Sequence, residues 1–371
     1  MKSTTHGPER ATFLERFVTG FHIPFFLGCL LLAFIFGPPG AILSVYVQTS
    51  NLDEAVARTT YLFFGIQVPV WQGVAGLGLL LVLLFYFLYM IRYMRLRLVA
   101  AEPLLLPLLP EGEETFHRVF GRVSRLGPPI VIGSILMVLF SLQSIPEVPG
   151  NFVIFGTAPA NLVFLVVSYP LWFVIFSTFA WVYFGSIRGL HELGKKSLKL
   201  KPFHEDKMLG VRPIGSLSLS FAFTYFTGLG ILALLPVVLL PNPSSPGYMG
   251  LLCMLTLSGV IFFFLPLNAI HKKMLEAKHR EQKTLRHQFI KAVQTPNESR
   301  TEVSESSLSE IREELSRLTR VLTVDITREE VAAIPTWPFD APILGRLAAM
   351  IFSIIGIVIA NLILRQILAH L

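Results

Sequence analysis

Residues Pro213–Ile270 read PIGSLSLSFAFTYFTGLGILALLPVVLLPNPSSPGYMGLLCMLTLSGVIFFFLPLNAI, a run of 58 residues without an Asp, Glu, Lys or Arg. The hydrocarbon core of a bilayer is about 30 Å thick, and one helical crossing takes roughly 20 apolar residues. The run is therefore long enough for two crossings. The turn between them is marked by PNPSSPG at 241–247, because its prolines cannot continue a helix. This pair of spans predicts an all-α integral membrane protein.

The composition of the whole chain agrees with this fold class. Of its 371 residues, 53% are hydrophobic and 15% are charged, whereas a soluble domain has about 25% charged residues. The charge-free stretches predict seven transmembrane helices at about 21–47, 61–91, 126–146, 160–187, 216–240, 248–270 and 343–368. They divide the chain into an N-terminal arm (1–20), a six-span bundle (21–270), a helical region with a pre-membrane linker (271–342) and the seventh transmembrane helix (343–371).

The basic residues predict the orientation of these spans. Of the 31 Lys and Arg residues, 29 lie in segments on one side of the predicted bundle, and two, Arg58 and Arg365, lie on the other. Because the basic side of a membrane protein stays in the cytoplasm, we expect a cytoplasmic N-terminus, an external C-terminus and a multi-pass location in the cell membrane. The net charge of +7 then reflects the excess of basic residues on the cytoplasmic side. The expected partner is the lipid bilayer rather than a nucleic acid.

Motifs that would indicate catalysis are missing from the sequence. It has no HExxH, GxSxG, P-loop or GxGxxG motif, and its two cysteines have no zinc-ligand spacing. The sequence therefore predicts no enzyme, no cofactor and no metal site. The nearest acidic cluster with a histidine, 204–206, adjoins several lysines, so a solvated loop near lipid headgroups is favoured over a metal site. The interiors of the spans also lack the charged residues that proton pumps place there.

A second amphipathic helix is predicted over 306–322, after a helix that continues the sixth span to about residue 293. Its apolar residues repeat at steps of three and four, as in a heptad seam. They are Leu308, Ile311, Leu315, Leu318 and Leu322. Two heptads are marginal as an isolated coiled coil. The seam is therefore expected to pack either on the helix that extends from the sixth span or on a neighbouring subunit.

The linker 334–342 leads into the seventh span and contains three prolines, Trp337 and Phe339. Aromatic residues favour the headgroup layer, so one interpretation is an interfacial anchor. The other is a rigid lever that transmits movement of the preceding helices to the last span. Arg346, one turn into that span, is expected to reach the interface or to pair with Asp340.

Neutral polar residues within the spans are the candidates for lining a pore or pocket. Asn361 lies well inside the seventh span, where an amide needs a partner or water; it is expected to bond a neighbouring helix or to line a pore. Ser353 lies on the same span, and Ser220 and Thr224 belong to a polar stripe on the fifth span. The sequence FGPPG at 36–40 predicts a break in the first span. Such breaks are either simple kinks or, in transporters, ion and substrate sites.

The predicted topology resembles that of the insect odorant and gustatory receptor channels and their proposed distant relatives. The shared features are seven spans with the N-terminus inside, a helix (271–293) that continues the sixth span, and a further helix (306–322) before the last span. The resemblance implies a homo-oligomer, a tetramer in that family, that is anchored by the helices outside the membrane and has a cation pore lined by the last span. The last-span signature of the family, Thr-Tyr with a later Gln-Phe, is absent from 351–366. Pore-lining roles are therefore not carried over to individual residues.

The function that these features predict is a homo-oligomeric channel or sensor, gated through the helices of 271–342 and the seventh span. Two alternatives stay open. One is a secondary transporter of a neutral or small solute, with an inverted repeat of three plus three spans. The other is a non-conducting scaffold that recruits a partner through the seam from Leu308 to Leu322.

Overall fold

A computed structural model gives the architecture of the chain. It describes residues 11–64, 67–143, 167–202, 205–239, 246–294, 307–332 and 335–370. Within these residues every regular element is a helix, and there is no strand. The all-α class predicted from the sequence is confirmed.

The helices are numbered in chain order. They are α1 (Phe13–Thr19), α2 (Phe25–Phe36), α3 (Pro38–Thr49), α4 (Leu52–Phe64), α5 (Val70–Leu105), α6 (Glu113–Phe120), α7 (Gly127–Gln143), α8 (Tyr169–Lys195), α9 (Arg212–Leu239), α10 (Pro246–Gln294), α11 (Ser307–Ala332) and α12 (Ala341–His370).

Six of the described segments are long and apolar enough to cross a membrane, which indicates a membrane protein. They are Phe25–Val47, Val70–Leu108, Tyr169–Lys195, Arg212–Leu235, Met249–His287 and Ala341–Ala360. The region predicted as the third span contributes the shorter apolar helix Gly127–Leu139. The predicted fourth span starts at residue 160, and its residues 160–166 lie outside the described residues.

The second span begins later than the sequence predicts. The charge-free stretch suggested a start near 61, but residues up to Phe64 belong to α4, and α5 begins at Val70 after Pro69. Proline fixes its own φ and disfavours helix at the residue before it, so a new helix starts there. The helix then continues past the predicted end at 91 to Leu105, because Arg92 and the following residues have good helix propensity.

The FGPPG sequence breaks the first span, as predicted. Helix α2 ends at Phe36 and α3 begins at Pro38, with the extended Gly37 between them. The free carbonyl of Phe36 accepts a hydrogen bond from Trp172 Nε1 of α8 at 2.9 Å. The break is therefore closed by a neighbouring helix, as protein at membrane depth requires, and this carbonyl is not left open for an ion or substrate.

Helices α5 and α9 form the centre of the bundle. The Tyr86 hydroxyl of α5 donates to the Thr224 carbonyl of α9, and Gly228 allows the two backbones to approach, since a Cβ there would lie 3.1 Å from the Tyr86 ring. Helices α2, α4 and α8 also pack on α5, while α10 and α12 pack on α9. Small residues at helix crossings permit this close packing in membranes.

Three connections between helices meet at one end of the bundle, here called the basic end because the lysines of 196–207 and Arg212 lie there. The Lys199 backbone N–H donates to the Leu108 carbonyl at 2.8 Å, and Arg212 pairs with Asp340 at 3.1 Å. These contacts bring the α5–α6, α8–α9 and α11–α12 connections together. The last span therefore begins among the ends of several other helices.

Candidate functional site at the start and exposed face of the last span

Residues 335–340, here called the coupling segment, connect α11 to α12 at the basic end. Trp337 stacks on the His271 ring of α10, with ring centroids 4.1 Å apart, and meets Phe264 edge-on at 5.7 Å. His271 Nδ1 lies 2.7 Å from the Thr336 carbonyl, so this nitrogen is the one that carries a proton and donates. The segment is thus fixed to α10 by a hydrogen bond and by aromatic contacts.

Pro338 and Phe339 continue the segment into the interior of the bundle. Both are buried, and the Phe339 ring lies 5.9 Å from that of Phe263. The Pro338 carbonyl packs directly on the backbone of Gly215, where a Cβ would overlap the carbonyl oxygen. The coupling segment is therefore wedged between α9 and α10, and a headgroup anchor does not describe Phe339.

Asp340 joins three elements at the end of the segment. Its backbone carbonyl accepts from the Ile343 N–H at 3.1 Å and its carboxylate from the same N–H at 3.3 Å, which caps the first turn of α12. The carboxylate also pairs with Arg212 at the start of α9. The expected pairing of Asp340 with Arg346 is wrong, because Arg212 occupies that carboxylate and Arg346 is exposed.

One face of α12 packs on the bundle through Ile343, Leu347 and Ile354, all buried. The opposite face carries small residues at steps of four, four, three and four, namely Gly345, Ala349, Ser353, Gly356 and Ala360, and all five are exposed. A Cβ at Gly345 or Gly356 would have no neighbour within 4 Å. The most apolar window of this span is 17% buried, against 28–56% for the other five, so among the six described spans α12 is the one least covered by the described residues.

Helix α11 packs against α10, but its predicted seam does not mediate this contact. The contact runs through Val331, which packs on Leu285, and through Lys278 Nζ, which donates to the Ala332 carbonyl at 2.7 Å. Leu315, Leu318 and Leu322 are 64%, 56% and 60% exposed. The expectation that these leucines pack on the helix extending from the sixth span is therefore wrong. Leu308 and Ile311 lie where side chains are not described.

Of the predicted pore residues, Ser220 and Thr224 lie on α9, and Ser353 and Asn361 lie on α12. Ser220 donates to the Ser216 carbonyl and Thr224 to the Ser220 carbonyl, at 3.1 and 3.0 Å, so both hydroxyls are satisfied within α9. Ser353 lies on the exposed face of α12, and the Asn361 side chain is outside those described. Among the described side chains, the buried polar atom without a hydrogen-bond partner is Ser218 Oγ, one turn from Gly215.

Sequence reasoning missed Gly215, Arg212 and His271 as parts of this site. Each contacts the coupling segment from more than 60 positions away in the chain, and no local pattern marks them. The site brings together the start of α9, the middle of α10 and the start of α12. No protein-family model, curated protein or solved structure matches this chain.

Proposed function

We propose that the protein is a homo-oligomeric channel or sensor of the cell membrane, in which α12 contacts a second copy and the coupling segment transmits movement of α10 and α11 to it. The observation that carries this proposal is the uncovered face of α12. It places Gly345, Ser353 and Gly356 on a face that nothing in the described chain covers.

This face has the composition of a helix contact inside a membrane. Lipid tails are as apolar as leucine, so spans associate through close backbone packing and polar contacts rather than through the hydrophobic effect. Small residues in register permit such packing, and a serine hydroxyl supplies a hydrogen bond between helices. A second α12 of the same chain presents an identical stripe, which gives the self-complementarity of a two-fold contact, and a cyclic tetramer would bring the same stripe of each copy towards its axis.

The coupling segment supports a gating role because it connects all three elements that would have to move together. Trp337 is stacked on α10, Pro338 lies against α9, and Asp340 caps α12. A shift of α10 and α11 would therefore displace the start of the last span. Such rigid contacts are the kind of element that a conformational switch uses.

The proposed topology has seven spans, with the apolar helix that starts at Gly127 as the third. It places the basic end in the cytoplasm, following the distribution of Lys and Arg. The order of spans and the two helices that precede the last one support a likeness to insect odorant and gustatory receptor channels, and a tetramer is proposed by that analogy.

We also assign the exposed seam of α11 to contact with a second copy. In sequence, Glu310, Glu313 and Glu314 precede Arg317 and Arg320. An antiparallel pair of α11 helices centred near residue 316 would set the acidic half of one against the basic half of the other. Leu315 of one copy would then meet Leu318 of the other, and Leu322 would meet Ile311, in a short coiled-coil-like contact.

Changing the seam should weaken the oligomer without unfolding the chain. Because Leu315 and Leu318 are exposed, replacing both with glutamate removes apolar contact from the proposed interface and leaves the core intact. We expect the oligomer to dissociate at a concentration at least about tenfold higher, since about 1.4 kcal/mol corresponds to a factor of ten. Thr323→Glu, on another face of α11, is the control. Sedimentation in detergent that shows equal dissociation for all three proteins would contradict the assignment.

Reconstitution in planar bilayers tests the function. We expect the wild-type protein to give unitary currents, and Gly356→Phe, which places a ring on the α12 stripe where the single chain has open space, to abolish them. Ile355→Phe, on an exposed flank of the same helix, should retain them. A silent bilayer together with a monomeric wild-type particle would overturn the proposal.

A further inference from the structure

A separate group of metal-ligating side chains lies where α5 turns into α6. Glu102 is in the last turn of α5, while Glu113 and His117 are one turn apart on α6. Leu106–Leu108 form a short 3₁₀ turn, and Gly112, with a φ of +56°, completes the reversal. A positive φ favours glycine, so the sequence supplies the turn that brings the three side chains together.

Packing holds α6 in one orientation. Phe116 and Phe120 are buried on its inner face, and Phe120 lies against Gly189 of α8, where a Cβ would come within 2.5 Å of its ring. Because residues three and four apart share a helix face, Glu113 and His117 lie together beside this buried face. The packing of α6 therefore fixes the backbone positions of Glu113 and His117.

The distances suit a single bound ion. His117 Nε2 lies 3.0 Å from Glu113 Oε1 and 3.7 Å from Glu102 Oε1. One ligand atom from each of the three residues lies within 4.8 Å of the others. Zinc–nitrogen and zinc–oxygen bonds are about 2.0–2.2 Å long, which in tetrahedral geometry places ligand atoms about 3.3 Å apart. Small side-chain rotations would bring the present arrangement to that geometry.

Burial gives the cluster a reason to bind a cation. Glu102 is 8% exposed, and an ionised carboxylate withdrawn from water is costly unless a positive charge compensates it. His117 Nε2 lies 3.7 Å from the Glu102 carboxylate, and a divalent ion bound to both side chains would add positive charge beside that carboxylate. His117 and Glu113 are considerably more accessible, with side chains 39% and 67% exposed. The ion therefore has an entry path, and a position for water stays open.

Two arginines near the cluster pair with other carboxylates. Arg118 pairs with Glu114 at 2.6 Å, and Arg95 pairs with Glu15 at 2.8 Å. The Thr115 hydroxyl donates to Glu111 and, together with Arg118, holds the pKa of that carboxyl below its ordinary value. A cavity of about 60 Å³ beside Glu102 and His117 has room for water.

We propose that Glu102, Glu113 and His117 bind a divalent transition-metal ion of the zinc class. One imidazole nitrogen and two carboxylate oxygens favour zinc over magnesium or calcium, which prefer oxygen ligands alone. The bound ion replaces the hydrogen bond between His117 and Glu113, and any proton on Nε2 is released, because a ligating imidazole nitrogen must be unprotonated. The ion fastens α6 to the end of α5. This site is independent of the channel proposal.

Zinc binding to the purified full-length protein in detergent tests the site, using titration against a chromophoric chelator. We expect Glu113→Gln and His117→Ala to bind one zinc ion fewer than wild type, or to bind it at least about tenfold more weakly. Glu113 is exposed, so its variant keeps the fold even where Glu102→Gln does not. His279→Ala and Glu114→Gln, which change an exposed histidine and a neighbouring glutamate, should bind like wild type.

A thermal measurement gives the second readout. Zinc should raise the melting temperature of wild type and of Glu114→Gln, because an ion bound only to the folded state stabilises it. It should leave that of Glu113→Gln unchanged, and magnesium at the same concentration should have no effect on any of them. Equal zinc stoichiometry and affinity in wild type, Glu113→Gln and His117→Ala would overturn the site.

Discussion

Replacing Gly215 with alanine is expected to lower the free energy of unfolding by about 3 kcal/mol, near the upper end of what overpacking costs. The added Cβ would overlap the Pro338 carbonyl oxygen, and a backbone group cannot rotate away as a side chain can. Pro338 would have to leave α9. The stacking of Trp337 on His271 and the pairing of Asp340 with Arg212 would weaken with it.

Unfolding in denaturant, followed by tryptophan emission, measures this effect. Gly78→Ala is the matched control, because a Cβ at Gly78 on α5 has no neighbour within 4 Å. Its expected effect is none, or a gain of up to about 1 kcal/mol from helix propensity. A Gly215→Ala protein as stable as the Gly78→Ala protein, with unchanged Trp337 emission, would show that the coupling segment is not wedged against α9.

Glu15→Ala is expected to cost about 3–5 kcal/mol, the range for removing one partner of a buried ion pair. Both oxygens of Glu15 accept from Arg95 Nε at 2.8 Å, and the two side chains are 3% and 12% exposed. The same carboxylate accepts from the Thr12 N–H at 2.8 Å and so completes the capping box of α1. Its loss leaves the Arg95 charge buried and frees α1 from α5.

The exposed pair Glu54–Arg58 on α4 supplies the comparison. Glu54→Ala should change stability by less than about 1 kcal/mol, because an exposed ion pair contributes little. In the double variant Glu15→Ala/Arg95→Ala, much of the loss should be recovered, since no unpaired charge stays buried. Equal losses in Glu15→Ala and Glu54→Ala would mean that the Glu15–Arg95 pair is not buried in the membrane-inserted protein.

The charge pattern predicted the helical class and most of the long helices, because the bilayer places one strong constraint on sequence. It did not locate the start of α5, where Pro69 separates two helices inside one charge-free stretch. It also did not separate a full span from the shorter apolar helix Gly127–Leu139. A stretch without charged residues indicates only that the segment is compatible with lipid. Where a helix begins or ends depends on local backbone preferences, and the charge pattern does not reveal these.

The candidate site was predictable only in part. Trp337, Phe339 and the α11 seam are visible as local patterns, but whether a leucine is covered depends on which helix returns beside it. Leu318 is exposed because α11 meets α10 through Val331. Glu102 and His117 belong together only after the turn at 106–112 has formed. Contacts of this kind are set by tertiary packing, which a single sequence does not reveal.

The central claim is that α12 of one copy contacts α12 of another, and the mass of the purified particle in lipid nanodiscs or detergent tests it most directly. We expect native mass spectrometry to show a closed oligomer, a whole multiple of the 41.5 kDa chain, with four copies favoured by the likeness of topology. Gly356→Phe should reduce it to pairs held by α11 or to single chains, and Ile355→Phe should not. A wild-type particle of one chain at every concentration, with the same mass for both variants, would contradict the account.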